Sequence, residues 1–248
     1  MRALLALCVS LALQVGVNYA NDYSDGIRGT DENRIGPTRL TAAGLASAAS
    51  VKRAAFIAFG TASAAGLTLA SLSSWWVILI GVVSIAAAWG YTGGKNPYGY
   101  KGLGEISVFI FFGVIATVGT YYVQTLKITW LAFSASVPMG ALSCALLAIN
   151  NIRDRAQDLQ VAKRTLAVRL GDKNSRRFFV LLLTSAYIFA ALTLVMKRSP
   201  LGLQMRAVTQ NRPMARAMGI RASWIDTLTF GLGSGIAGLA GVALTQID

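Results

Sequence analysis

The sequence predicts an all-α protein, a polytopic transmembrane helical bundle of about seven apolar segments. Three observations predict it. Only 13% of the 248 residues are charged, about half the ~25% of a soluble domain. Apolar types make up 54%, and the mean hydropathy is +0.55. The apolar residues are gathered into runs near the ~17–25 residues that cross a bilayer. This balance excludes a soluble globular enzyme, a disordered chain and a disulfide scaffold.

The runs follow in order. Residues 3–17 are short for a span, and their helix is expected to continue beyond the membrane. Arg2 precedes this run, but Val17-Asn18-Tyr19-Ala20 is a poor small-x-small cleavage site, so it is read as a span and not a leader. Runs 54–72 and 75–91 are separated only by Leu72-Ser73-Ser74, a tight helical hairpin. Trp75 and Trp76 mark its membrane–water interface, where aromatic rings settle. Runs 105–123 and 128–149 flank a turn at Lys127, and 178–196 and 225–247 complete the set.

Charge fixes the orientation. The net charge is +13, and a basic excess in a bilayer protein belongs to cytoplasmic loops rather than to nucleic acid. No basic stripe with interleaved aromatics points to a nucleic-acid partner. Loops 20–53, 92–104 and 150–177 share one side by helix parity and hold fifteen basic residues. The other side, up to residue 196, holds Arg2 and Lys127. The three loops are therefore expected in the cytoplasm of a multi-pass cell-membrane protein. Loop 197–224 breaks the pattern: parity puts it outside, yet it carries six basic residues. Either 178–196 does not span, or the tail follows another plan.

Side-chain chemistry narrows the function. Histidine is absent, which removes His-based acid–base catalysis, Ser-His triads and His metal ligands. Cys8 and Cys144 lie in apolar runs and read as packing residues. Any metal must be oxygen-bound and hard, such as Mg²⁺. Seven of the ten acids fall in two of the same-side loops: Asp22, Asp25, Asp31 and Glu32, then Asp154, Asp158 and Asp172. Asp22/Asp25 and Asp154/Asp158 sit three and four residues apart, each pair on one helical face. Two acidic pairs at helix ends call for a cation, and Mg²⁺ completes its shell with substrate phosphates. The four aspartates are thus the candidate metal ligands, two jaws around a diphosphate. Lys95, Arg153 and Lys163 are candidates to neutralise phosphate oxygens. Loop 92–104 adds five glycines, tyrosine and lysine on the same face, but no GxxxxGK[ST] phosphate loop.

These residues resemble the UbiA superfamily of intramembrane aromatic prenyltransferases. Asn21-Asp22-Tyr23-Ser24-Asp25 is similar to its first Asp-rich motif. Residues 150–158, Asn-Asn-Ile-Arg-Asp-Arg-Ala-Gln-Asp, are similar to its second, and Tyr91 to Lys95 matches its YxxxK element. Gly16-Val17-Asn18-Tyr19, the Tyr91-Thr92-Gly93-Gly94 run, Gly102-Leu103-Gly104-Glu105 and residues 163–171 resemble the 1,4-dihydroxy-2-naphthoate branch of menaquinone synthesis. The resemblance covers about residues 1–196. It implies a Mg²⁺-dependent transfer of a polyprenyl group from its diphosphate to 1,4-dihydroxy-2-naphthoate, with Tyr91, Lys95, Arg153 and Lys163 as catalytic residues. Asn21, Asn150, Asn151 and Arg39 complete the expected substrate-binding set.

The family's usual nine or so helices exceed the six runs before residue 197, so the chain reads as an incomplete member. Residues 199–248, with Arg206-Ala207-Val208-Thr209-Gln210-Asn211 and the glycine-spaced 231–241, resemble a permease of the branched-chain amino acid or urea ABC-transporter type. The expectation is a composite: 1–196 a partial prenyltransferase domain, 197–248 a permease-like basic loop and C-terminal helix. The alternative function is a transporter subunit or an inactive composite.

Overall fold

The computed structural model describes residues 1–31, 36–231 and 234. It is 82% helical, with no strand among the described residues. Two compact units divide between Leu182 and Leu183.

The first unit contains most of the long helices, and the last of them, Leu166–Arg198, runs across the boundary at Leu182. Helix α1 (Arg2–Ile27) extends the first apolar run by almost three turns, which carries Asp22 and Asp25 on its last turns. Helix α2 (Ala48–Leu72) starts where the Ser47 hydroxyl accepts the Ser50 N–H at 3.2 Å, satisfying one of the orphan donors of a first turn. It ends at the predicted hairpin, and α3 (Trp76–Thr92) returns from it. Trp75 and Trp76 are both exposed. A 3₁₀ turn, Tyr98–Lys101, precedes a single rod, Gly104–Thr125. That rod is α4 (Gly104–Val108), a π-helical stretch Phe109–Ile115, and α5 (Ala116–Thr125). Helix α6 (Trp130–Gln160) begins under a Thr129 cap and contains Pro138. Helix α7 (Leu166–Arg198) is kinked at Gly171, whose φ of 75° leaves the helical range.

The packing is that of a chain dissolved in lipid. Buried apolar positions are mainly alanine, such as Ala20, Ala55, Ala62, Ala141, Ala145 and Ala148, while Leu4, Ile57, Val82 and Leu146 face outward. Lipid tails reward no burial of large side chains, so helices associate through small residues that let backbones close up. Gly113 and Gly140 show the device: a Cβ on Gly113 would lie 2.6 Å from the Gly140 Cα. Gly16 likewise lies against the Phe59 ring, 2.6 Å from a built Cβ, where α1 meets α2. Among the described residues, five helices are long and apolar enough to cross a membrane: α1, α2, the 104–125 rod, α6 and α7; α3, with 17 residues, is a shorter apolar helix. The chain is a multi-pass helical membrane protein. The expected run 178–196 is part of α7.

The second unit differs from the expectation of a basic loop. Residues 200–217 form α8 (Pro200–Gln210) and α9 (Arg212–Ala217), and a further helix starts at residue 222. The Ser199 side chain caps α8, and Pro200 sits at its start, where a missing N–H costs nothing. Leu201, Met205 and Val208 follow at helical spacing and pack with Ala215, Ala222 and Ile225. Arg212 pairs with Asp226. The charge count along 197–224 masked this apolar stripe. Of the expected run 225–247 and the glycine-spaced 231–241, residues 232–233 and 235–247 lie outside the described residues, as do Glu32 and Arg34.

Candidate functional site

The site is built where α1 and α6 run out of apolar sequence. Both ends are shaped by turns that fold the chain back. After α6, Ala162 adopts φ 57°, a left-handed conformation uncommon outside glycine. The turn lets the Lys163 N–H bond to the Asp158 carbonyl at 2.8 Å, so the lysine lies back over the aspartate. After α1, the Thr30 N–H and hydroxyl both reach the Asp25 carbonyl, at 3.1 Å each. Gln157 on α6 donates to the Thr30 carbonyl at 3.2 Å, tying the two ends together.

Lys163 joins the two acidic motifs. Its Nζ lies 3.8 Å from Asp25 Oδ2 and 3.8 Å from Asp158 Oδ1. Asp25 is 2% exposed and Asp158 is 6% exposed. Thr165 donates to the second Asp158 oxygen at 3.4 Å. Tyr100, in the 3₁₀ turn, donates its hydroxyl to Asp25 Oδ1 at 2.7 Å. Its ring carries two cations, with Lys163 Nζ 5.1 Å and the Arg28 guanidinium carbon 5.4 Å from the centroid, both within cation–π range. Burial first, and the Asp25 charge second, push the Tyr100 phenol well above its ordinary pKa. It therefore stays a proton donor at neutral pH. Arg28 also donates to the Thr92 and Gly94 carbonyls, and the Arg164 N–H donates to the Tyr100 carbonyl at 2.9 Å. Gly102, at φ 71°, passes so close to this turn that a Cβ would meet the Arg164 carbonyl at 3.2 Å.

The four aspartates do not converge. Asp22 faces the segment after α1 and accepts the backbone N–H groups of Leu40 and Thr41 at 2.8 and 2.9 Å. It pins that segment to α1. Three-residue spacing put Asp22 and Asp25 on one face, but the returning loop claims the first of them. Asp154 is held by its neighbour Arg153 through contacts of 2.6 and 2.8 Å. Asp25 and Asp158, one from each motif, are the pair brought together. Among the described residues no group of three or more carboxylate or thiol ligands is assembled.

The other expected site residues divide similarly. The Thr92 hydroxyl donates to Asn21 Oδ1 at 2.8 Å, binding α1 to the end of α3. Asn151 donates to Glu105 Oε1 at 3.0 Å. Asn150 is half-buried on α6. Arg39 lies 3.6 Å from Asp31. The Tyr91 ring meets Tyr98 edge-on at 5.5 Å, and its hydroxyl would be 2.9 Å from a Cβ on Gly104. Lys95 and Arg153 are exposed. Tyr100 and Arg28 carry no role in the sequence pattern, and Glu105 enters it only as the end of Gly102-Leu103-Gly104-Glu105. Tyr100 is one of two tyrosines in the glycine-rich loop 92–104, and nothing local distinguishes it. Glu105 is 6% exposed, and its Oε2 has no hydrogen-bond partner. A buried acid opening an apolar run was the available signal.

The chain is similar over most of its length to known proteins. The UbiA prenyltransferase family matches residues 1–209. The chain is 52% identical over 185 residues to a 1,4-dihydroxy-2-naphthoate octaprenyltransferase of Mycobacterium tuberculosis, covering 75% of this chain and 63% of that protein. It is 50% identical over 194 residues to the Mycobacterium leprae protein of the same name, covering 78% and 66%. It is 39% identical over 197 residues to the Escherichia coli one, covering 77% and 64%. The chain thus spans a little under two thirds of the length of these relatives. No solved structure matches it significantly. The permease resemblance of residues 199–248 finds no support; the family match runs past residue 196 into that tail.

UbiA prenyltransferases generally use a divalent metal. The donor set fits one: Asp25 and Asp158 are oxygen donors that already share a cation, the Lys163 ammonium. Magnesium in phosphate sites takes one or two carboxylates and leaves the remaining positions to water and phosphate, so a complete protein cage is not required. With both acidic motifs inside the matched region and joined across one lysine, the chain belongs to the UbiA prenyltransferase family.

Proposed function

We propose that this protein is a membrane prenyltransferase that moves a polyprenyl group from its diphosphate to 1,4-dihydroxy-2-naphthoate, forming a demethylmenaquinol. The observation that carries the reading is the pairing of Asp25 and Asp158 across Lys163, 3.8 Å from each, in a chain whose relatives bear that name at 39–52% identity. Asp25 and Asp158 would hold Mg²⁺, with Asp154 one helical turn from Asp158. The metal supplies charge neutralisation for the leaving diphosphate. Lys163 and Arg153 bind phosphate oxygens beside it, and exposed Lys95 closes over them from the glycine-rich loop.

The chemistry asks little else of the protein. The allylic C–O bond breaks and diphosphate leaves with the electron pair. The small-residue interior of the bundle keeps water from the allylic cation. The ring carbon bearing the carboxylate attacks, and loss of CO₂ returns the electron pair to the ring. No covalent enzyme intermediate forms, so the protein's contribution is positioning and electrostatic stabilisation. The site is assigned to the cytoplasmic face of the cell membrane, because fifteen basic residues lie in the loops on that side.

The test is prenyl transfer by the purified chain in detergent, with a polyprenyl diphosphate and dihydroxynaphthoate. Product and CO₂ are expected with Mg²⁺ and not in excess EDTA. Full activity in EDTA would refute the metal assignment, and inertness toward dihydroxynaphthoate alongside turnover of another phenolic acid would refute the acceptor.

A further inference from the structure

Lys163 has a fixed backbone and a movable charge. Its N–H is bonded to the Asp158 carbonyl at 2.8 Å, and the next residue's N–H is bonded to the Tyr100 carbonyl at 2.9 Å. The ammonium, at the end of a flexible four-carbon stem, lies 3.8 Å from both Asp25 and Asp158. A charge-assisted hydrogen bond to one of them would be ~2.7–2.9 Å. The ammonium is therefore the shared counter-ion of two carboxylates, closed to neither. Both are almost fully buried, and two buried carboxylates without a cation are strongly unfavourable.

We infer that Lys163 is a placeholder cation: it occupies the metal's position between Asp25 and Asp158 in the free protein and yields it when metal and diphosphate arrive together. The inference rests on the function proposed above. A divalent ion on these carboxylates repels an ammonium at this distance. The stem can then swing, and the Tyr100 face 5.1 Å away provides a rail. Bound diphosphate offers the displaced ammonium new oxygens. Two consequences follow. Metal alone binds weakly, because it must evict a cation that has nowhere better to go. Metal and diphosphate bind cooperatively, because each gives the other's displaced group a partner, and this coupling is reciprocal.

The test is Mn²⁺ binding to the whole chain in detergent, by calorimetry or electron paramagnetic resonance, with and without inorganic pyrophosphate. Lys163→Met is expected to bind Mn²⁺ alone about tenfold more tightly than the unsubstituted protein, and to lose most of the enhancement that pyrophosphate gives. Lys163→Arg, which keeps the charge, is expected to retain both weak binding and enhancement. Lys163→Gln carries the same expectation as Met should the latter fail to purify with its helix content intact. Equal or weaker Mn²⁺ affinity in the neutral variants would overturn the placeholder role while leaving the metal site standing. Absence of Mn²⁺ binding in every form, with turnover intact in EDTA, would overturn the metal reading beneath it.

Discussion

Removing one oxygen from Tyr100 separates the two things that residue does. Tyr100→Phe deletes the hydroxyl that donates to Asp25 Oδ1 at 2.7 Å but keeps the ring beneath Lys163 and Arg28. The bond is made to a carboxylate that is 2% exposed, and bonds to charged groups contribute ~1.5–3 kcal/mol. With ~1.4 kcal/mol per factor of ten, kcat/KM for prenyl transfer is expected to fall ~10- to 150-fold. Tyr100→Leu also removes the cation–π face, worth ~0.5–2 kcal/mol for each cation, and is expected to fall further and to raise KM for the diphosphate. The assay is initial-rate kinetics in detergent at saturating dihydroxynaphthoate, with thermal unfolding followed in parallel. A Tyr100→Phe enzyme within twofold of the original would refute the claim that the phenol holds Asp25 in its working position.

Other perturbations test the separate roles assigned to neighbouring groups. Asp22→Ala frees the Leu40 and Thr41 N–H groups and is expected to cost about 2–3 kcal/mol of stability and to open the segment after α1 to limited proteolysis, with Mn²⁺ affinity unchanged. Asn151→Ala strips Glu105 of its donor and is expected to lower thermal stability by about 1–3 kcal/mol, with Asn151→Asp worse because it sets a second acid against a buried carboxyl. Gly113→Leu drives a side chain into the Gly140 backbone; overpacking costs of ~1–3 kcal/mol or more are expected as a reduced melting temperature and lost activity, whereas Gly119→Leu, with nothing near its built Cβ, is expected to melt like the original.

Much of this arrangement is legible in the sequence because two rules act over short range. Apolar run length gives the spans, and alternation of loop charge puts both acidic motifs on one face. That is enough to expect Asp25 and Asp158 in one site. It is not enough to distinguish Asp22 from Asp25. Helical spacing sets which face a carboxylate presents, but the backbone of residues 40–41 decides what meets it. Tyr100 is hidden for the same reason, since its partners come from α1 and from the turn after α6. In the tail, a count of basic residues overshadowed Leu201, Met205 and Val208, the stripe that makes 200–210 a helix. The π-helical stretch Phe109–Ile115 has no signature among its apolar residues.

Under the proposed function, one aspartate from each motif serves a single metal. A double-mutant cycle with Asp25→Asn and Asp158→Asn, read as Mn²⁺ affinity in the presence of pyrophosphate, measures it directly. If the two carboxylates serve one ion, each single change is expected to weaken binding at least tenfold, and the double change to weaken it far less than the product of the two. Independent, multiplicative losses would show that the carboxylates serve different sites, and an unchanged affinity in either single variant would remove that residue from the metal altogether.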